Sequence, residues 1–209
     1  MIRVDLSSKL IHLTRSAGNL YAEARFGNIL MERTLLGSAQ DVRGGFKVVA
    51  FTESPISMLA SVLANAQNMR YAPLGFMVDK RWLYERGGRP VIYQAEDEYS
   101  VLPDSKRHLH VRYEPDREID YAWEREWRIK TDRLILDPAV TTVIVPTREW
   151  EREYHEQHSL SAQLTALATQ GLYPSGPPEW HFAALEDLGI PFDGNETISL
   201  ERFRQSFSA

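Results

Sequence analysis

The sequence predicts an α+β fold, in which strands and helices are mixed without the regular βα alternation of a doubly wound sheet. Three observations carry this: several short runs rich in β-branched and aromatic residues, three stretches with apolar residues at helical spacing, and an irregular order of the two kinds. The chain has 209 residues, 43% hydrophobic and 25% charged, and no Pro/Ser-rich linker or internal repeat divides it. It is therefore expected to form one domain over residues 1–209.

Leu10-Ile11-His12-Leu13-Thr14 alternates as a short strand, and Leu20, Ala24, Gly27 and Leu30 then recur as a helix would space them. Phe46 to Thr52 is a central strand, entered from Gly44-Gly45. Ser54 is placed to cap a helix with Pro55 in its first turn and Ile56, Leu59 and Leu63 along its apolar stripe. Leu74 to Val78 and Pro90 to Tyr93 read as strands, and the polar segment from Asp104 to Glu118 as loop. Asp120 to Lys130 reads as one strand: Tyr121, Trp123, Trp127 and Ile129 fall on one face, and Glu124, Glu126, Arg128 and Lys130 on the other. Thr141 to Pro146 is the last strand. Thr147 then starts a helix carrying Leu160, Leu164 and Leu167, and the remainder, including Pro174 to Pro178 and Leu200 to Phe207, is expected as loop with one or two short helices.

Composition excludes several functions. The 29 acidic residues outnumber the 24 basic ones, giving a net charge of −5, so no global basic field draws nucleic acid. The absence of cysteine rules out thiol catalysis, disulfides and thiolate metal sites and points to a reducing compartment. No apolar run reaches the ~20 residues of a membrane span, and the N-terminus lacks a signal-peptide core, so a cytoplasmic protein with no membrane partner is expected. No Gly-rich phosphate loop of the dinucleotide or P-loop kind occurs. His155 and His158 are wrongly spaced for a helical zinc pair, and these two, with His108 and His110, are expected at the surface. Glu149, Glu151, Arg152, Glu153 and Glu156 read as a solvated helix face.

Chemistry concentrates in three places. Glu124 and Glu126, two apart on one strand, would stand roughly 6.5–7 Å apart on one face above an aromatic layer, a rigid mount for a working carboxylate. The ordinary alternative is a solvated outer row paired across strands. His12 and Thr14 would share a strand face and can hydrogen-bond a ligand, while Asn19 sits where it can cap the following helix. Phe51-Thr52-Glu53-Ser54-Pro55 ends a strand in polar side chains at the rim of a sheet.

Taken in order, Ile11-His12-Leu13-Thr14 with Asn19-Leu20, Val49 to Leu59, and Arg125 to Ile129 leading to Val143-Ile144-Val145 resemble the ADP-ribosyltransferase fold, most closely its DarT-like branch. The resemblance implies a mixed sheet with flanking helices and NAD as the substrate. Glu126 would be the catalytic acid and Glu124 its helper. His12, Thr14, Asn19 and Thr52 would lie along the NAD site, with Arg15 toward the pyrophosphate. Phe51, Tyr71 or Tyr93 would form the nicotinamide slot. Arg43 is the one candidate for the arginine that the family carries between its first helix and central strand, in a stretch that is short here. The acceptor would be a protein or nucleic acid; the clusters around Lys80-Arg81, Arg86, Arg89 and Lys106-Arg107 offer contacts to a nucleic acid, against the ordinary reading of solvated loops. The chain also resembles bacterial abortive-infection proteins of the AbiGi type, around Gly87 to Tyr93 and Trp123 to Arg128. This implies a toxin of phage defence, with a cognate antitoxin or partner protein. The alternative is a non-catalytic member of the fold that binds a partner protein in a defence or regulatory operon.

Overall fold

The computed structural model describes residues 7–17, 19–56, 71–168, 180–190 and 198–207. It is a mixed α+β structure whose contacts gather into two compact units, Met1–His12, Thr34–Met58 and Met77–Leu136 in one and Leu13–Arg33, Leu59–Phe76 and Asp137–Ala209 in the other. In chain order the elements are β1 (Lys9–Leu13), α1 (Ala22–Glu32), β2 (Thr34–Leu36), β3 (Val48–Thr52), β4 (Gly75–Asp79), α2 (Lys80–Glu85), β5 (Arg89–Pro90), β6 (Ile92–Gln94), β7 (His110–Arg112), β8 (Glu126–Lys130), β9 (Arg133–Ile135), β10 (Thr141–Val145), α3 (Arg148–Ala168), β11 (His181–Ala184) and α4 (Leu200–Gln205). Among the described residues no helix is long and apolar enough to cross a membrane.

The first unit is built on neighbouring strands in the order β4-β1-β3-β8-β5. β3 pairs antiparallel with both β1 and β8, and β5 closes the far side of β8. Val49, Phe51, Trp127 and Ile129 are buried, the apolar load that the alternation of both strands predicts. Ala50 lies opposite Arg128, and its small side chain leaves room beside the guanidinium. Two smaller pairs, β2 with β9 antiparallel and β6 with β7 parallel, complete this unit.

The second unit buries α1 through Ala22, Glu23, Phe26, Gly27 and Leu30. Phe26 meets Phe76 and Phe203 with ring centroids 5.3 and 5.7 Å apart, and Trp150 stacks 4.9 Å from Phe203. Gly27 lets α1 come close to Ser206, since a Cβ there would lie 2.3 Å from the present Ser206 hydroxyl and 3.0 Å from its Cβ. Glu23 is fully buried and accepts from Arg202 and the Ser199 backbone, and Glu153 pairs with Arg204, so α4 is held by two buried carboxylates. The parallel pair β10 and β11 belongs to the same unit.

Several expectations need correction. Asp120 to Lys130 is not one strand: Ala122–Glu124 is a 3-10 turn and Arg125 is left-handed at φ 44°, so Glu124 is off β8 and the paired-carboxylate face does not form. Tyr121 and Trp123 are exposed rather than buried beneath it. Leu20 is exposed outside α1, and Asn19 caps nothing, since the Ser16 hydroxyl accepts from the Ala22 N–H instead. Ser54 donates its hydroxyl to the Trp123 carbonyl, and the helix it was expected to cap lies beyond Ile56 outside the described residues, as do Leu59 and Leu63. Pro90 to Tyr93 divides between β5 and β6. The segment expected as loop contains β7, and His108 and His110 are buried rather than at the surface. Glu153, expected on a solvated face, is buried. Leu167 is exposed, and the side chains of Leu160 and Leu164 lie outside the described residues. β11 carried no strand signal strong enough to predict it.

Candidate functional site

Glu126 is the first residue of β8 and is held through both its backbone and its side chain. Its backbone N–H donates to the Tyr93 hydroxyl at 3.1 Å, and its carbonyl accepts from the Val91 N–H at 3.0 Å. Its carboxylate takes a fork from Arg128, with Nε to Oε1 at 2.7 Å and Nη2 to Oε2 at 3.1 Å. Residues two apart on a strand share a face, which brings this acid and this base together. The other arm of the guanidinium, Nη1, donates to the carbonyls of His108 and His110 at 3.1 and 3.0 Å. Side-chain exposure is 7% for Arg128 and 15% for Glu126, so the base is inside and the acid is at the rim.

The turn that precedes Glu126 is zipped to the end of β3. Three successive carbonyls, of Trp123, Glu124 and Arg125, accept from the Ser54 hydroxyl, the Thr52 hydroxyl and the Glu53 N–H. Glu124 thus contributes its backbone to this site. Beside it Tyr93 is half-buried; burial pushes its phenol above the ordinary tyrosine range, so it stays protonated and donates to the Tyr121 carbonyl. The ring of His108 lies edge-on to Phe46, with its Nδ1 buried and without a hydrogen-bond partner. Burial, followed by Lys130, Arg128 and Lys106, holds the imidazole below its usual pKa.

Strand register decides which predicted residues meet. Thr52 lies opposite Ile11 on β1 and opposite Glu126 on β8, so Ile11, Thr52 and Glu126 share one face. His12 and Phe51 are each one residue out of that register and face the other way; their rings meet edge-on at 5.8 Å, and Phe51 is buried opposite Trp127. The His12 Nδ1 lies 2.8 Å from the Ala50 carbonyl. On that same face Glu53 is buried, accepting from Lys80 at 2.6 Å and from the Trp127 indole at 2.8 Å. Lys80, expected in a basic cluster, is spent on this pair. Arg43 reaches Glu96 and stacks over Tyr99.

Thr14, Arg15, Asn19 and Tyr71 belong to the second unit. The Thr14 hydroxyl and N–H both donate to the Leu74 carbonyl. The Arg15 carbonyl accepts from Arg25, and Asn19 is exposed in a turn. Sequence reasoning placed Arg128 on the Glu126 face but gave it no role in the site. The Glu-x-Arg spacing on one strand was the signal that could have found it. Among the described residues no group of three or more His, Cys, Asp and Glu side chains is placed to hold a metal.

No protein-family model matches this chain, and neither does any curated protein or solved structure.

Proposed function

We propose that the chain is an NAD-consuming ADP-ribosyltransferase, or an NAD glycohydrolase on the same scaffold, with Glu126 as its catalytic carboxylate. One observation carries the reading: the strand portions of the three resembling stretches, in β1, β3 and β8, are neighbours, with Thr52 the register partner of both Ile11 and Glu126. A carboxylate held at the rim of a sheet suits the chemistry. The bond between nicotinamide and ribose breaks with its electron pair leaving on nicotinamide, which departs neutral, so no general acid is needed. Glu126 stabilises the cationic ribosyl centre and takes the proton of the attacking water or acceptor. Of the rings expected for the nicotinamide slot, Tyr93 serves it, because its hydroxyl reaches the Glu126 backbone while Phe51 is in the core. The roles of His12, Thr14, Arg15, Asn19 and Tyr71 toward NAD rest on the resemblance alone.

Purified protein is expected to release nicotinamide from NAD, and Glu126→Gln to lower that rate by about 100-fold or more with the fold intact. Unchanged turnover in the variant ends the assignment. As a cytoplasmic toxin of the phage-defence kind, the wild type also arrests growth when expressed, and the variant does not.

A second reading has its own observation: the Glu126 charge is matched by a buried guanidinium, and Tyr121 and Trp123 stand exposed beside it. These are the features of a protein-binding module that has kept the scaffold and uses aromatic anchors. It predicts no heat of NAD binding by calorimetry and loss of partner binding in Trp123→Ala. Transfer of labelled ADP-ribose to any macromolecule excludes it.

A further inference from the structure

We propose that Arg128 is the positioning residue of the site, the group that fixes the direction in which the Glu126 carboxylate faces. The inference rests on the reading of Glu126 as the reacting acid and adds a second residue to it. A carboxylate on the first residue of a strand has freedom about its side-chain torsions, and a substrate-facing acid works only if that freedom is removed. Here it is removed from within. The Arg128 guanidinium is buried and cannot shift, because Nη1 is held by the His108 and His110 carbonyls, while Nε and Nη2 form the fork on Glu126. The planar fork fits both carboxylate oxygens at once, which an ammonium cannot do. A carboxylate has about four acceptor positions, and the fork uses one on each oxygen, leaving the others for ribose hydroxyls or an incoming acceptor.

Burial of both partners sets the pair apart from a wet surface ion pair. In a surface pair both groups are wet, whereas here the base is the more deeply buried and the acid the more open. Two further bonds, from the Glu126 N–H to Tyr93 and from Val91 to the Glu126 carbonyl, fix the backbone from which the carboxylate is aimed.

The test compares wild type with Arg128→Lys, which keeps the charge and loses the fork. Two readouts are taken on the same preparations: nicotinamide release from NAD, and the side-chain carboxyl carbon resonance of Glu126 in protein labelled with 13C-glutamate. The expected result is a kcat lower by about 10- to 100-fold with KM within about twofold, the range seen when a residue that orients an active group is lost. The Glu126 carboxyl resonance shifts as well. An unchanged resonance in a folded Arg128→Lys protein overturns the proposal, as does an unchanged kcat. If wild type releases no nicotinamide, the enzymatic reading fails by itself, and the resonance still decides whether Arg128 holds the acid. Should Arg128→Lys not fold, the wild-type Arg128 Nε–H proton is followed instead. Protection from exchange that is lost in Glu126→Gln supports the fork, and rapid exchange in wild type overturns it.

Discussion

Glu114 shows how a single carboxylate records its surroundings. A hydrogen bond from Arg112, followed by one from the Glu96 N–H, holds its carboxyl at about 2, against 4.5 unperturbed. A lowered carboxylate pKa stabilises the fold above the unfolded value, and that contribution is lost as pH falls through the folded one. Wild type is therefore expected to melt above Glu114→Gln at neutral pH, with the gap closing between pH 4.5 and about 2 in a pH series of thermal melts. His108 has the same sign from a different cause. Its folded pKa lies below 6.5 because burial opposes its charge, so the unfolded chain takes up a proton first and stability falls as pH drops below 6.5. His108→Phe, with Phe46 as its neighbour, is expected to flatten this acid-side slope in the same series. The identity of these residues was visible in the sequence, but their burial was not: a His and a Glu in a charged stretch carry no sign of what covers them.

Between the end of β3 and the start of β8, the local conformation of one residue decides the element. Arg125 in the left-handed region breaks what the alternating pattern reads as a continuous strand, and so turns Tyr121 and Trp123 outward. A β-branched side chain is poorly tolerated at positive φ, so Arg125→Val is expected to cost about 1–2 kcal/mol and Arg125→Gly far less, as measured by urea unfolding. On the opposite face of the same strands, Glu53 with Lys80 and Trp127 forms a closed polar cluster. Lys80→Met leaves the Glu53 carboxylate buried without its cation. Because Lys80 retains 28% side-chain exposure, the expected loss is about 2–3 kcal/mol, below the ~3–5 kcal/mol of a fully buried pair. The strands themselves were legible wherever β-branched residues and alternation agreed, as at Val48 to Thr52 and Thr141 to Val145. β11 was missed because its run His181-Phe182-Ala183-Ala184 has no such density, and its strand state comes from pairing with β10.

For the whole molecule, each of the two units draws on three separate stretches of chain. Phe203 and Trp180 in the C-terminal stretch depend on Phe26, Leu30 and Phe76 from much earlier in the sequence. A fragment covering 137–209 is therefore expected to stay unfolded by circular dichroism, and native-like helicity in that fragment would count against the packing described. The sequence by itself determined the α+β class, the main strands and which residues were chemically equipped to act, because alternation, β-branching and helix spacing are local properties of the chain. Tertiary structure alone decided that His12 and Glu126 face opposite ways and that the Arg128 guanidinium is buried against the His108 and His110 carbonyls. Those outcomes depend on register and on what covers each face, and shifting a strand by one residue reverses every side chain on it.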